Sequence, residues 1–419
     1  MPSGDEVTNK SEADLAISIL LNLVEDYHDF NPDTVVPVYL YPTNVQFSQQ
    51  VARARPCVYR LDQAAIQTEA ILKAQANGNS HGDGRGEQRE SHPLSLNHKS
   101  LDDDQRVVLS APCFQWTRRR LCELIDGEVE VAVTPDGRAD SLYALPRATY
   151  ADDPCEQVFV QPATTHMTMS NLLDELCPPH PISPNTGSPN KPVYYLQSQD
   201  SNLSRPELSP LVNQLPATPP PFALPTLRDP EATNIWIGNA QSVTSTHRDP
   251  YENLYLVVKG RKKFVLYAPI EEICLHAQMV RTGKWTYDEE SRKFDVVMDD
   301  VNQDENSSND KHSSRIPWIP IDPLNPPPAS STQYPYYKHA RPLTLTVNEG
   351  EILYLPAGWF HHVSQECGQW EAEDGTLTAA PCIAVNYWFD MDYGGERHVM
   401  REMVGRLVEK VRLGHEVTS

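Results

Sequence analysis

His247 and Asp249 place an imidazole and a carboxylate two residues apart in SVTSTHRDPYENLYLVVKGRKKFVLY, residues 242–267. On a β-strand that spacing puts both side chains on one face, one pleat apart. Two ligands of a single metal ion have that need. The pairing is common by chance: 14 His and 57 acidic residues in 419 positions give roughly two His-x-acid matches. The second match, His81-Gly82-Asp83, sits in a run of Gly, Asn, Ser and charge without apolar periodicity, which reads as a loop. His247 instead precedes LYLVV and KFVLY, two apolar runs around KGR that read as a β-hairpin.

Two ligands leave a metal under-coordinated. The stretch LPAGWFHHVSQ supplies tandem histidines, His361 and His362, after a Pro-Ala-Gly turn. Along a strand, Trp359, His361 and Val363 share one face, and Phe360 and His362 the other, so alternation does not choose between the two histidines. Trp359 and Phe360 read as barrel packing. Two histidines and one carboxylate on one side of Fe(II) leave three positions open, enough for a bidentate 2-oxo acid and dioxygen. A zinc hydrolase needs one open position and often carries H-E-x-x-H, which is absent. The triplet His247-Arg248-Asp249 also fails as a kinase catalytic loop. That loop has four residues between Asp and Asn, whereas three separate Asp249 from Asn253.

Elements must bring these groups together. Short strands separated by turns dominate the half of the chain that holds the motif, which argues for a sandwich or barrel. LTLTVNEGEILYLPAGWFHHVSQ and IAVNYWF supply the later strands. Residues 11–28 predict an amphipathic helix, and residues 395–415 a second one with Val399, Met403, Leu407 and Val411 on one stripe. LLDEL predicts a short helix, and PATPPPFALP an extended spacer. The domain plan has three parts: a helical and mixed region over 1–130 with an insertion at 75–107, a core over 131–392 with insertions at 299–312 and 365–381, and a C-terminal helix over 393–419.

Composition sets the bounds. Hydrophobic residues are 39% and charged residues 22% of the chain, which fits a globular protein. The formal net charge of −22 argues against direct nucleic-acid binding and fits a cationic partner. No run of 18 apolar residues occurs, so no membrane span is expected. Eight scattered cysteines without a CxxC pair fit a reducing compartment, the cytoplasm first and the nucleus second.

The order His-x-Asp, then KGRKK, then EGEILYLPAGWFHHV, then AVNYW resembles the JmjC family of Fe(II)- and 2-oxoglutarate-dependent oxygenases. It is most similar to that family's hydroxylase branch and, within it, to lysyl (3S)-hydroxylases. Supporting stretches are VAVTPDGRAD, YYLQSQDSNL, NIWIGNAQSVTSTHRDPYENLY and IPWIPIDPL. The resemblance implies a mainly β fold with flanking helices: a double-stranded β-helix, the jelly-roll or cupin-like JmjC barrel. It implies that His247, Asp249 and His361 hold the iron. Lys262, Thr244 and Tyr195 would meet the distal carboxylate of 2-oxoglutarate, with Asn253 and Asn386 lining the same pocket. Read on its own, Lys262 in KGRKK is a solvated turn lysine. The implied reaction couples oxidative decarboxylation of 2-oxoglutarate by dioxygen to hydroxylation of a protein lysine, on a GTP-binding protein of the developmentally regulated class. Terminal segments that support a homodimer are also implied. The competing functions are an N-methyl-lysine demethylase and a non-enzymatic cupin-like interaction module.

Overall fold

The computed structural model describes residues 12–61, 108, 110–146, 155–178, 191–197, 201–216, 220–299, 315–371 and 375–416. The insertion at 75–107, the pair His81 and Asp83, and residues 300–312 of the acidic insertion lie outside the described residues.

Runs rich in Val, Ile, Tyr, Phe and Trp form strands, and these build two facing sheets. The larger runs β1 (Val38–Leu40), β2 (Cys57–Arg60), β17 (Ile352–Leu355), β11 (Tyr251–Lys259), β21 (Cys382–Asp390), β9 (Ala232–Gly238). The smaller runs β16 (Leu343–Val347), β12 (Arg261–Tyr267), β18 (Phe360–Glu366), β10 (Val243–Arg248), β4 (Arg138–Ala139). Tyr255, Val257, Phe264, Leu266, Leu353, Leu355, Val363 and Ala384 fill the space between them. This is the jelly-roll barrel that the resemblance implies.

Alternation assigns the other face. Leu254, Leu256 and Val258 of β11 point away from the barrel and pack with Phe47, Leu121, Leu172 and Leu173. Both faces of β11 are therefore buried, which is why LYLVV is apolar throughout. The covering helices are α1 (Glu12–Phe30), α2 (Asn44–Arg53), α3 (Arg118–Leu124), α4 (Met169–Leu176), α5 (Leu224–Leu227) and α6 (Glu396–Glu416). Thr43 and Gln46 form a capping box at the start of α2, and the Thr168 side chain accepts from the Asn171 amide at the start of α4.

Further strands sit beside the barrel. β14 (Lys293–Met298), β13 (Gln278–Asp288), β6 (Cys155–Gln161) and β5 (Ser141–Pro146) form a sheet, with β15 (Arg315–Trp318) paired to β13. β7 (Ala163–Thr168), β3 (Glu128–Thr134) and β8 (Val193–Tyr195) form another, and β19 (Gly368–Glu371) pairs with β20 (Leu377–Ala380) within the 365–381 insertion.

Three expectations need correction. LYLVV and KFVLY are not a hairpin: β11 pairs with β17 and β21, whereas β12 pairs with β16 and β18 in the opposite sheet. The chain turns a corner of the barrel at Gly260, whose φ of +74° and contact with the Glu366 carbonyl leave no room for a Cβ. On α6, Val404 and Val411 are the buried positions, packed with Ala16, Leu20 and Val24 of α1, while Val399 and Met403 are exposed. Leu407 and Val411 of the expected stripe do pack on this cluster, whereas Val404 and Val408 take the places expected of Val399 and Met403. PATPPPFALP is more than a spacer, since Phe222 is fully buried against Tyr41, Phe47 and Tyr59.

Candidate active site

β10 and β18 are antiparallel neighbours whose register sets His247 directly opposite His361, after a bulge between Thr244 and His247. The two imidazole centroids are 4.3 Å apart. Asp249 lies just past the end of β10, in the link to β11, so it is not a second residue of one strand face as the spacing suggests. Its carboxylate reaches both rings nonetheless, with Oδ1 3.7 Å from His247 Nε2 and Oδ2 3.6 Å from His361 Nε2. Ligand atoms of the three residues all lie within 4.8 Å of one another. Among the described residues this is the one such group of His, Cys, Asp or Glu.

Ring orientation follows from the backbone. His247 Nδ1 lies 2.8 Å from the Ser245 carbonyl, and His361 Nδ1 lies 3.1 Å from the Trp359 carbonyl. A carbonyl can only accept, so each Nδ1 carries the proton and each Nε2 presents its lone pair to the shared space. Burial, reinforced by His247, pushes the His361 pKa down to about 4, which keeps it neutral and able to ligate. The turn before β18 is tied to the Asp249 segment. The Gly358 amide donates to the Asp249 carbonyl at 2.9 Å, and Glu252 accepts from the Tyr354 hydroxyl and the Ala357 amide at 2.7 and 3.3 Å.

His362 points the other way. It is buried, with Nε2 4.0 Å from Asp322 Oδ1, and Asp322 is paired to Arg138 at 3.1 Å.

The cavity over the triad is lined by Asp140, Tyr195, Gln197, Trp236, Thr244, Asn253, Tyr255, Phe264, Val363, Asn386 and Trp388. Thr244, Tyr195, Asn253 and Asn386, all singled out in the sequence, are thus gathered in this lining. Asn386 Nδ2 donates to Asn253 Oδ1 at 3.4 Å, and Trp236 Nε1 donates to Asn386 Oδ1 at 2.8 Å. Lys262 does not itself line the cavity. It lies behind Tyr195 and Tyr255, 1% exposed, and donates to the Tyr195 hydroxyl at 3.0 Å. The solvated turn lysine is therefore corrected: β12 alternation points Lys262 inward. Burial disfavours its charge, and the Tyr195 hydroxyl with the faces of the Tyr195 and Tyr255 rings offsets part of that cost. Among the described residues no carboxylate pairs with this ammonium, and a buried cation without a counter-ion is costly.

Sequence reading missed Asp140, Gln197, Trp236, Trp318 and Trp388. Trp318 lies parallel to His247, ring centroids 6.5 Å apart. Asp140 ends VAVTPDGRAD, one of the stretches that carried the resemblance, and that placement was the available signal. Burial raises its pKa, with His247 opposing.

Known proteins bear on this geometry. The cupin-like domain family matches residues 42–395. The bifunctional peptidase and (3S)-lysyl hydroxylase JMJD7 of Homo sapiens is 37% identical over 267 residues, 64% of this chain and 69% of that protein. JmjC domain-containing protein E of Dictyostelium discoideum is 34% identical over 277 residues, 64% of this chain and 71% of that protein. Lysine-specific demethylase JMJ32 of Arabidopsis thaliana is 37% identical over 168 residues, 39% of this chain and 43% of that protein. With its jelly-roll barrel and its facing histidines and aspartate, the chain belongs to the cupin-like JmjC-domain family.

Proposed function

We propose that this protein is an Fe(II)- and 2-oxoglutarate-dependent hydroxylase of protein lysine, of the (3S)-lysyl type that names its human relative. The carrying observation is the convergence of His247 Nε2, His361 Nε2 and the Asp249 carboxylate in one cavity. That donor set suits Fe(II) with open positions. His247, Asp249 and His361 would hold the iron, Asp249 offsetting part of its charge. When bound, iron with 2-oxoglutarate and dioxygen supplies oxidative decarboxylation coupled to hydroxylation of a C–H bond.

The chain's own residues bind and exclude. Lys262 would meet the distal carboxylate of 2-oxoglutarate, supported by its buried ammonium and its Tyr195 partner. Thr244 lines the cavity with Tyr195, in front of Lys262, and Asn386 donates to Asn253 in the same lining. Tyr255, Phe264 and Val363 add apolar surface to the cavity lining.

Among protein substrates, a GTP-binding protein of the developmentally regulated class is the first to assay, and the net charge of −22 favours a basic target surface. A homodimer is supported by the exposed apolar residues Leu15, Ile19, Val399, Met400 and Met403 of α1 and α6. The eight cysteines, none of them in a disulfide, support a reducing compartment, the cytoplasm and then the nucleus. A second reading, removal of N-methyl groups from lysine, draws on the name of the Arabidopsis relative. The cavity and the donor set count against a non-enzymatic module.

Aerobic incubation with Fe(II), 2-oxoglutarate and lysine peptides tests the proposal. The expected product is the intact peptide heavier by one oxygen, with succinate in equal amount. Formaldehyde from a methylated peptide would move the assignment to demethylation, and a cut peptide would move it to hydrolysis.

A further inference from the structure

Asp140 is the carboxylate of the metal cavity that neither the donor set nor the 2-oxoglutarate contacts use. It lines the cavity with His247, Asp249 and His361 but stands outside the three-residue donor group. Among the described residues no Lys or Arg side chain pairs with its carboxylate, although Arg138 two residues earlier is paired to Asp322.

Its position is built rather than incidental. β4 runs parallel to β10, with Arg138 and Ala139 beside Val243 and Thr244, so Asp140 leaves the sheet next to the strand that carries His247. Its backbone is left-handed, with φ of +49°, a conformation that Asp and Asn tolerate better than other side-chain-bearing residues. The Ser245 hydroxyl donates to the Asp140 carbonyl at 2.5 Å and accepts from Trp318 Nε1 at 3.2 Å. These contacts fix the main chain of Asp140 beside β10, and its side chain belongs to the lining of the cavity.

Charge counting says what it faces. Iron and the Lys262 ammonium are matched by Asp249 and the two carboxylates of 2-oxoglutarate. Asp140 is a negative charge in surplus, in a cavity where an unmatched charge is costly. A cation brought by the substrate would match it. The C–H bond oxidised in (3S)-hydroxylation is at Cβ of lysine, four bonds from the ammonium, so both can occupy one cavity.

We propose that Asp140 is the carboxylate that receives the ammonium of the target lysine and sets the enzyme's preference for a cationic side chain. This rests on the lysyl hydroxylase reading above. A charge-assisted hydrogen bond between ammonium and carboxylate carries the selection, since a neutral side chain would leave Asp140 unmatched.

The test uses the whole protein. A library of lysine-centred peptides is first screened with the wild type, and the peptide turned over best is remade with norleucine in place of lysine. Asp140→Asn preserves shape and tolerates the left-handed backbone. It is expected to keep wild-type iron content and an unchanged KM for 2-oxoglutarate, while KM for the lysine peptide rises about tenfold. The preference for lysine over norleucine should collapse in this variant, an outcome that a merely structural role for Asp140 does not produce. Direct peptide binding to the metal-loaded protein without dioxygen reads the same loss apart from turnover. If wild type and Asp140→Asn discriminate lysine from norleucine equally, the inference is overturned while the hydroxylase reading stands. Loss of iron from Asp140→Asn overturns it too, by assigning the carboxylate to the metal. If the wild type oxidises no lysine peptide, both fall.

Discussion

His361 and His362 are adjacent in sequence and opposite in role, and only their partners separate them. His361 faces His247 and Asp249, whereas His362 faces Asp322. His361→Ala is expected to lose iron and turnover. His362→Ala should retain iron at a stability cost of about 0.5–3 kcal/mol, and iron stoichiometry on the two folded variants checks this. Lys262→Ala removes a charge-assisted contact, so affinity for 2-oxoglutarate should fall about ten- to a hundredfold with iron retained. Titration of the iron-loaded variant with 2-oxoglutarate reads the change, and unaltered affinity would return Lys262 to a packing role. The histidines also impose a pH dependence on the metal-free protein. Burial pushes the pKa of His361 and of His362 down to about 4 from 6.5. The unfolded chain binds the extra protons between those values. Stability is therefore complete above about pH 6.5 and declines as pH falls toward 4. Denaturant midpoints between pH 7 and 4.5 should show this decline, and His362→Asn should weaken it. The donor residues were legible because His-x-Asp and the tandem histidines stood beside strongly apolar strands. Which histidine points inward was not, because both faces of that strand carry an aromatic residue that packs.

At the scale of elements, the corner at Gly260 decides whether β12 faces β11 across the barrel or pairs with it. A Gly between two apolar runs serves a hairpin and a barrel corner equally well. The distinction lies in partners far along the chain, β16 and β18 for one strand and β17 and β21 for the other. Local sequence could not carry it. Gly260→Ala adds a Cβ 2.4 Å from the Glu366 carbonyl oxygen at a φ of +74°. The expected cost is about 1–3 kcal/mol, read as a lower urea midpoint with an unchanged slope. Phe222 shows the same limit from another side. A proline-rich stretch reads as extended, yet its one aromatic side chain anchors it under α2 and β2, because burial of a large ring outweighs the local preference. The α6 stripe was right at Leu407 and Val411 and wrong at Val399 and Met403, since periodicity gives a face only to within a residue or so and contact with α1 made the choice.

At the scale of the molecule, the barrel gathers residues from 140 to 388 into one cavity, which no local run of sequence can do. The strands and the order of the motifs were enough to place the chain in its family. The third sheet around β13, whose β15 sets Trp318 beside His247, was not legible, because it depends on long-range pairing of β6, β13 and β15. The central claim is that His247, Asp249 and His361 form the metal site of a 2-oxoglutarate-dependent hydroxylase. Asp249→Ala tests it most directly, because this one carboxylate reaches both imidazoles and removing it leaves the iron with fewer ligands and less compensated charge. Succinate release, measured beside the wild type with Fe(II), 2-oxoglutarate and a lysine peptide, should fall to the rate without enzyme, with iron lost from the purified variant. Succinate production near the wild-type rate from a folded Asp249→Ala protein would contradict the account.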